Sequence, residues 1–315
     1  MLPDRTSEFR LIETFRAAID DSPRVLTGIG DDTAVVERPD GLVLLAADML
    51  LEGVHFDLST ATAFQIGRKA LGVNLSDIAA MAGRPRYALV SLALSPKLPS
   101  QDGGNFAEQL FEGIRSMAAL FDTTIVGGDT TSWDGPLVIN VAIAGEVASG
   151  SAVTRSGATP GDWVFVTGSL GGSIKGHHLD FTPRVEEALA LRERCHLNAM
   201  IDVSDGLVAD LYHILEESGV GACLDEGSIP ISEAAASIQD GRSPLEHALG
   251  DGEDFELLFT VSPDDGRRLI EKNLLPIRLS RIGEIVAGDS CQLRGVAGNE
   301  TTLRRLGWSH NVGKT

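Results

Sequence analysis

The sequence predicts an α/β chain of two domains, and three observations carry that reading. Its 315 residues are enough for two separate cores. Strand-like and helix-like segments mix along the first half. A stretch of small residues, glycine and proline at 149–161, SGSAVTRSGATPG, then interrupts the pattern, and strand and helix signals restart beyond it. The expected division is into residues 1–150 and 151–315.

Residues 7–19 have the period of an amphipathic helix, with Ser7 as cap and Leu11, Phe15, Ala18 and Ile19 on one face. A glycine turn at 28–30 precedes strand-like runs at 33–36 and 42–47. The second run ends at Asp48, which puts that carboxylate at a strand's C-terminal end, a usual place for ligand chemistry. Residues 63–82 read as a helix, in which Asn74 and Asp77, three apart, share a face. A strand at 87–95, a helix at 104–121 and a short strand at 124–126 follow. That strand runs into Gly127-Gly128-Asp129, and 137–145 is a further strand. In the second half, 163–167 is a strand leading to a glycine-rich segment. Residues 204–218 form a helix with Leu207, Leu211 and Ile214 on one face, and 257–261 is a strand. Ser262-Pro263 is a helix start with Ser as cap and Pro in the first turn. Late strands are expected at 282–286 and 291–294.

The net charge of −19 repels nucleic acid and anionic membranes, so neither is an expected partner. The cysteines, Cys195, Cys223 and Cys291, are odd in number, far apart and without a CxxC pair. A disulfide framework or zinc site is therefore not expected, and a reducing cytoplasm fits. The N-terminus lacks a basic start and apolar run, and no apolar stretch approaches the ~18 residues of a membrane span.

Acidic residues recur beside glycines or at expected helix starts: Asp31 and Asp32 after Gly30, Asp48, Asp77 after Asn74, Asp129 after Gly128, Asp202 and Asp205 before Gly206, and Glu253 and Asp254 after Gly252. None has the spacing of an all-protein metal cage. A nucleotide's Mg²⁺ takes only a few protein carboxylates, with phosphate and water completing its shell, so scattered acids on turns and strand ends suit a phosphate site. Taken singly, each has a bland reading. Gly-Asp pairs form turns, Asp202 and Asp205 could complement a helix dipole, His55 could be a packed histidine, and Arg155 a linker arginine. The usual nucleotide signatures are missing. Gly313-Lys314-Thr315 looks like the end of a P-loop, but Trp308 holds the earlier glycine position. Gly28 and Gly30 begin a dinucleotide fingerprint that Thr33 does not complete. No HRD, DFG, HExxH or GxSxG occurs.

What joins the acids is their order. The strings GIGDDTAVV (28–36), DMLLEGVHFDL (48–58), KALGVNLSDIAAMAGRPRYALVSLAL (69–94), IVGGDTT (125–131), TRSGATPGDWVFVTGSLG (154–171), IDVSDGLVADLYHI (201–214) and GEDFELLFT (252–260) together resemble the thiamine-monophosphate kinases. The broader superfamily includes aminoimidazole ribonucleotide synthetase. The resemblance implies two α/β domains of the α+β type, each a mixed sheet with helices on one side, and a homodimer joined through the N-terminal sheets. The first domain would bind ATP and Mg²⁺ and dimerise; the second would complete the nucleotide and substrate site in the cleft. It implies several Mg²⁺ ions on Asp32, Asp48, Asp77, Asp129, Asp202 and Asp205, with Asp32, Asp77 and Asp202 the key carboxylates. ATP would meet Gly128, Asp129, Arg155 and Ser204, and thiamine monophosphate would meet His55, Glu253 and Trp308.

The implied reaction is direct, in-line transfer from ATP to thiamine monophosphate, giving thiamine diphosphate. The acceptor is a phosphate already ionised near pH 7, so no strong base is required. The rivals are another ATP-dependent enzyme of the superfamily and a non-catalytic nucleotide-binding paralogue. A selenophosphate synthetase would carry a reactive cysteine near its N-terminus, whereas the first here is Cys195. Two departures from the family pattern stand out: Ala46-Ala47 where Ser or Thr often precedes the equivalent of Asp48, and a shortened segment before Pro183-Arg184. His177 and His178 in that segment are expected in a solvated loop.

Overall fold

The structure, a computed structural model, describes residues 25–27, 31–38, 41–98, 106–147, 152–272 and 275–308. The helix expected at 7–19, the turn at 28–30 and the 313–315 segment lie outside these residues.

The first sheet comprises β1 (Val25–Thr27), β2 (Ala34–Arg38), β3 (Gly41–Leu51), β4 (Arg84–Leu94), β5 (Thr124–Ser132) and β6 (Val138–Val147), in the order β1-β2-β3-β6-β4-β5. Only β4 and β5 pair in parallel. Two helices, α1 (Ala63–Ala80) and α2 (Phe106–Leu120), pack on each other and cover one face. A capping box starts α1: the Thr62 hydroxyl accepts from the Gln65 amide, and the Gln65 side chain accepts from the Thr62 amide. The two helices approach closely because glycines meet at the crossing. A Cβ on Gly67 would lie 2.0 Å from the Leu110 carbonyl oxygen, and one on Gly113 2.0 Å from that of Phe64.

The second sheet comprises β7 (Trp163–Thr167), β8 (Leu197–Asp202), β9 (Gly221–Asp225), β10 (Leu257–Val261), β11 (Leu279–Val286), β12 (Cys291–Arg294) and β13 (Glu300–Leu303), in the order β13-β12-β9-β11-β7-β10-β8. It is mixed, with β9 and β12 parallel. Its main helices are α3 (Val185–Arg194), α4 (Leu207–Ser218), α5 (Pro244–Gly250) and α6 (Pro263–Lys272). The alternation of β7 and β10 sends Phe165, Leu257 and Phe259 into a core shared with the first sheet's helices. Val164, Val166 and Leu258 go to a second core under α4. Both faces of this sheet are therefore covered.

The pillar between the two halves is α1. It packs on β3 and β6 from its own half and on β8 and α3 from the other. Hence it is buried almost all round, as a helix enclosed on every side must be. Phe181 stacks on Phe255 at 4.1 Å between ring centres and presses on Gly72 of α1, closing the same junction.

Two expectations change. Asp48 does not end its strand: β3 continues through Met49, Leu50 and Leu51, because β6 supplies a partner for each of them. Gly127-Gly128-Asp129 are not a turn after a short strand but lie inside β5. A Cβ on Gly128 would sit 1.7 Å from the Val90 carbonyl oxygen, so the glycine admits close pairing with β4. Among the described residues no helix is long and apolar enough to cross a membrane.

Candidate active site in the cleft between the sheets

The acids are brought together from separate segments. Asp77 projects from α1, Asp202 ends β8, and Asp32 precedes β2. Carboxylate oxygens of these three lie within 4.8 Å of one another. Asp48 joins them from β3, where alternation puts it on the inner face with Leu44 and Leu50. Thus Asp77 sits inside a helix, as its spacing from Asn74 predicts, whereas Asp48 sits inside a strand and not at its end. Their backbones are fixed from below. The Asp48 amide donates to Asn74 Oδ1 at 3.2 Å, the Asn74 amide nitrogen donates to the Ala70 carbonyl at 3.1 Å, and Asn140 donates to the Asp48 carbonyl at 3.0 Å.

So many carboxylates in one place repel ionisation. Burial, the largest cause, and the charge of Asp32 push Asp202 up to about 8, against a hydrogen bond from Ser76. Asp77 is held well above the ordinary carboxylate range by burial and by Asp48, Asp202 and Asp32. Asp48 is raised by burial, partly offset by a hydrogen bond with Asp77. The cation beside them is Arg155, whose fork donates to both oxygens of Asp32, at 3.0 and 3.1 Å. Burial works against its charge, but Asp32, Asp31 and Asp210 together outweigh that and raise its pKa. Its backbone amide donates to Asp31, which burial and Asp32 push up to about 7.

A second loop, Ser204-Asp205-Gly206, wraps one oxygen of the buried Asp210. All three amides donate to Asp210 Oδ2, at 3.0, 3.1 and 3.0 Å. The Asp205 carbonyl accepts from the Trp308 amide at 3.0 Å, and the Ser204 carbonyl accepts from the Glu253 amide at 2.7 Å. Gly307 permits this approach: at φ +155 its Cβ would stand 2.7 Å from the Asp205 carbonyl oxygen. Glu253 itself has φ +63, an uncommon conformation for a residue with a side chain.

These elements enclose a cavity of about 910 Å³. Asp48, Asp77, Asp202 and Asp205 line it, as do His55, Ser204, Glu253 and Trp308. Arg155 and Asp32 stand behind the acidic wall, reached through Asp77 and Asp202. Gly128 and Asp129 do not line it; they lie exposed on β5 at the sheet edge. Of the two alanines before Asp48, Ala47 is on the outward face and Ala46 shares the inner face with Asp48, so only Ala46 bears on the acids. The shortened segment is not a loop but carries a short helix, His177–Asp180. His178 is buried with Nδ1 2.9 Å from the Ser173 carbonyl oxygen, whereas His177 is exposed, with Nε2 3.2 Å from that of Asp254.

Sequence reasoning missed Lys69, Asp210 and Arg242. Arg242 lines the cavity and bonds Asp251 at 2.8 Å. Lys69 had a signal: it lies three residues after Ile66 on a face that the apolar period assigns to the interior.

Known proteins resemble this chain over both of its halves. Residues 30–147 match the model of the AIR synthase related protein N-terminal domain, and 159–296 that of the C-terminal domain. The thiamine-monophosphate kinase of Rhodopirellula baltica is 42% identical over 274 residues, covering 84% of each chain. That of Escherichia coli K12 is 36% identical over 311 residues, covering 90% of this chain and 91% of its own. The solved structure of AaThiL complexed with AMPPCP and TMP superimposes with a TM-score of 0.82 at 30% identity, covering 98% of this chain and all of that one. With both domain models matched in order and full-length relatives at this identity, the chain belongs to the thiamine-monophosphate kinase family of AIR synthase-related proteins.

Proposed function

We propose that this chain transfers the terminal phosphoryl group of ATP to thiamine monophosphate, yielding ADP and thiamine diphosphate, in the cytoplasm. The observation that carries the reading is the convergence of Asp32, Asp77 and Asp202, from both halves of the chain, beside a cavity that also exposes His55, Glu253 and Trp308. A relative of the same fold is complexed with AMPPCP, an ATP analogue, and TMP.

The donor set fits Mg²⁺. All the ligand atoms are hard carboxylate oxygens, and the burial and mutual repulsion that raise Asp77 and Asp202 are what a bound cation offsets. Asp32, Asp48, Asp77 and Asp202 would hold such ions, with Asp205 as a further ligand. Bound there, Mg²⁺ supplies neutralisation of the two phosphate chains and of charge on the transferring group.

The chain's own residues bind and orient. The Ser204-Asp205 loop and Arg155 receive the nucleotide. Arg155 is already desolvated and held beside the acids by Asp32. His55, Glu253 and Trp308 hold the thiamine moiety, the indole face suiting its cationic ring. No side chain needs to take a proton, because the acceptor oxygen is already ionised; transfer is in line and depends on positioning. Residues 1–150 carry most of the acids and the dimer face, and 151–315 complete the site. The homodimer is supported by exposed Leu45, Met49, Tyr87 and Leu89 on the face of the first sheet turned away from α1.

The test is formation of thiamine diphosphate from ATP, Mg²⁺ and thiamine monophosphate. Wild type should form it. Asp77→Asn should lose at least about 100-fold in rate, equivalent to about 2.7 kcal/mol of barrier. Mg²⁺-dependent ATP binding without product would instead favour a non-catalytic paralogue.

A further inference from the structure

We infer that Lys69 is a positioning residue for the acceptor substrate: its buried ammonium ties the His55 turn to Glu253, so the two halves of the thiamine pocket form one unit. The inference rests on the function proposed above.

The geometry is specific. Lys69 lies on α1 with no solvent exposure. Its Nζ donates to the His55 carbonyl oxygen at 2.5 Å and to Glu253 Oε1 at 2.5 Å. His55 belongs to the turn after β3, in the first half of the chain, and Glu253 to the loop before β10, in the second. Both line the cavity, whereas Lys69 does not; it therefore acts through them.

A lysine is a costly choice here. Burial lowers its pKa, against the favourable charge of Glu253, and the neighbours it packs among on α1 are apolar. The titratable groups that face it are Glu253 and the buried His178, which is turned toward the Ser173 carbonyl. An apolar side chain of similar volume would fill the same space without desolvating a charge. What it could not do is hold two acceptors at once. Glu253 has particular need of a holder, because its backbone is in the left-handed region and its side chain is partly exposed in the cavity. The nucleotide and metal side of the cleft is fixed by other contacts, Ser76 to Asp202 and Arg155 to Asp32. Loss of Lys69 should consequently be felt by thiamine monophosphate and not by ATP.

The experiment is a double-mutant cycle with Lys69→Met, Glu253→Gln and the pair, reading KM for each substrate and kcat. Lys69→Met should raise KM for thiamine monophosphate about 10- to 100-fold, the range for losing a charge-assisted hydrogen bond, with KM for ATP changed less than about 3-fold. In the Glu253→Gln background the same substitution should cost clearly less than it does alone, because the charged partner is already gone and only the bond to the His55 carbonyl remains to be lost. If the two effects multiply instead, or if both KM values rise together, Lys69 is only a packing residue and the inference fails. Lys69→Gln, which keeps a donor, carries the same cycle should Lys69→Met not fold. Absence of thiamine diphosphate from the wild type would defeat the proposed function itself, whereas product without coupling defeats only this inference.

Discussion

The Ser76 hydroxyl donates to Asp202 Oδ2 at 2.5 Å, one residue before Asp77 on α1, so the two halves of the chain are joined at the acids themselves. The bond lowers the pKa of Asp202 against the larger effect of burial. It also fixes which oxygen of Asp202 faces the cleft. Ser76→Ala should therefore weaken Mg²⁺ in the reaction by about 10- to 100-fold, the range for losing a residue that orients a metal ligand. A Mg²⁺ titration of initial rate measures it. An unchanged half-saturation concentration would mean that Asp202 does not act as a ligand or does not need orienting.

The raised carboxylates make a stability prediction with a defined sign. Burial pushes Asp202 up to about 8 in the folded chain from an ordinary 3.8, and Asp77 shifts in the same direction. A carboxylate whose folded pKa is raised contributes stability that is full below its unfolded pKa and is lost as pH rises through the folded one. Metal-free protein should therefore lose melting temperature between about pH 4 and pH 8 from these groups. Mg²⁺ should restore it, and by more at pH 8 than at pH 6. For a domain of this size each kcal/mol is about 2–4 °C. Thermal melts in chelator and in Mg²⁺ at the two pH values decide it; equal Mg²⁺ gains at both would contradict the coupling.

How much of this was legible in the sequence follows from what each residue's neighbours say locally. The place of Asp77 on a helix face with Asn74 is legible from their spacing, while its role follows only from the resemblance. Its proximity to Asp202 could not be read, since nothing local reports that β8 packs on α1. β8 and β9 were not read at all: they are short and buried on both faces, so they lack the alternation by which a half-exposed strand announces itself. Gly127-Gly128 looked like a turn because glycine pairs commonly form turns; only the close approach of β4 makes them strand residues. Lys69 has no motif to mark it, although the period of α1 places it inside.

Asp210 supports the second half of the site without lining the cavity. Three consecutive amides, of Ser204, Asp205 and Gly206, converge on one of its oxygens. Asp210→Ala would leave those donors without their carboxylate and free the loop that anchors Glu253 and Trp308 by backbone hydrogen bonds. The expected cost is about 1–3 kcal/mol of stability. Amide hydrogen exchange at 204–206 should also accelerate. Retained protection there would show that the loop is held by other contacts.

The first sheet has one face too apolar to stand in water over so wide an area. On β3, Leu44 and Leu50 point to α1 while Leu45 and Met49 point away; on β4, Ala88 and Val90 point inward while Tyr87 and Leu89 point away. Between them on β6, Ala142 lies opposite Ala47 and Leu89, and Ala144 opposite Leu45 and Tyr87, which makes the outward surface continuous. Met49 and Tyr87 are 54% and 55% exposed, more than large apolar side chains in a closed sheet core would be. The occupant that fits a flat sheet face with this alternation is the same face of a second copy, because an isologous contact matches each apolar row with another. The wild type should therefore run at twice the 33.3 kDa chain mass in light scattering. Leu89→Glu should run at the single mass with its helix and strand signals intact, because the charge enters the contact and not the core. A wild type that is monomeric at micromolar concentration would remove the dimer from the proposal while leaving the cleft, which this chain forms from its own two halves, unaffected.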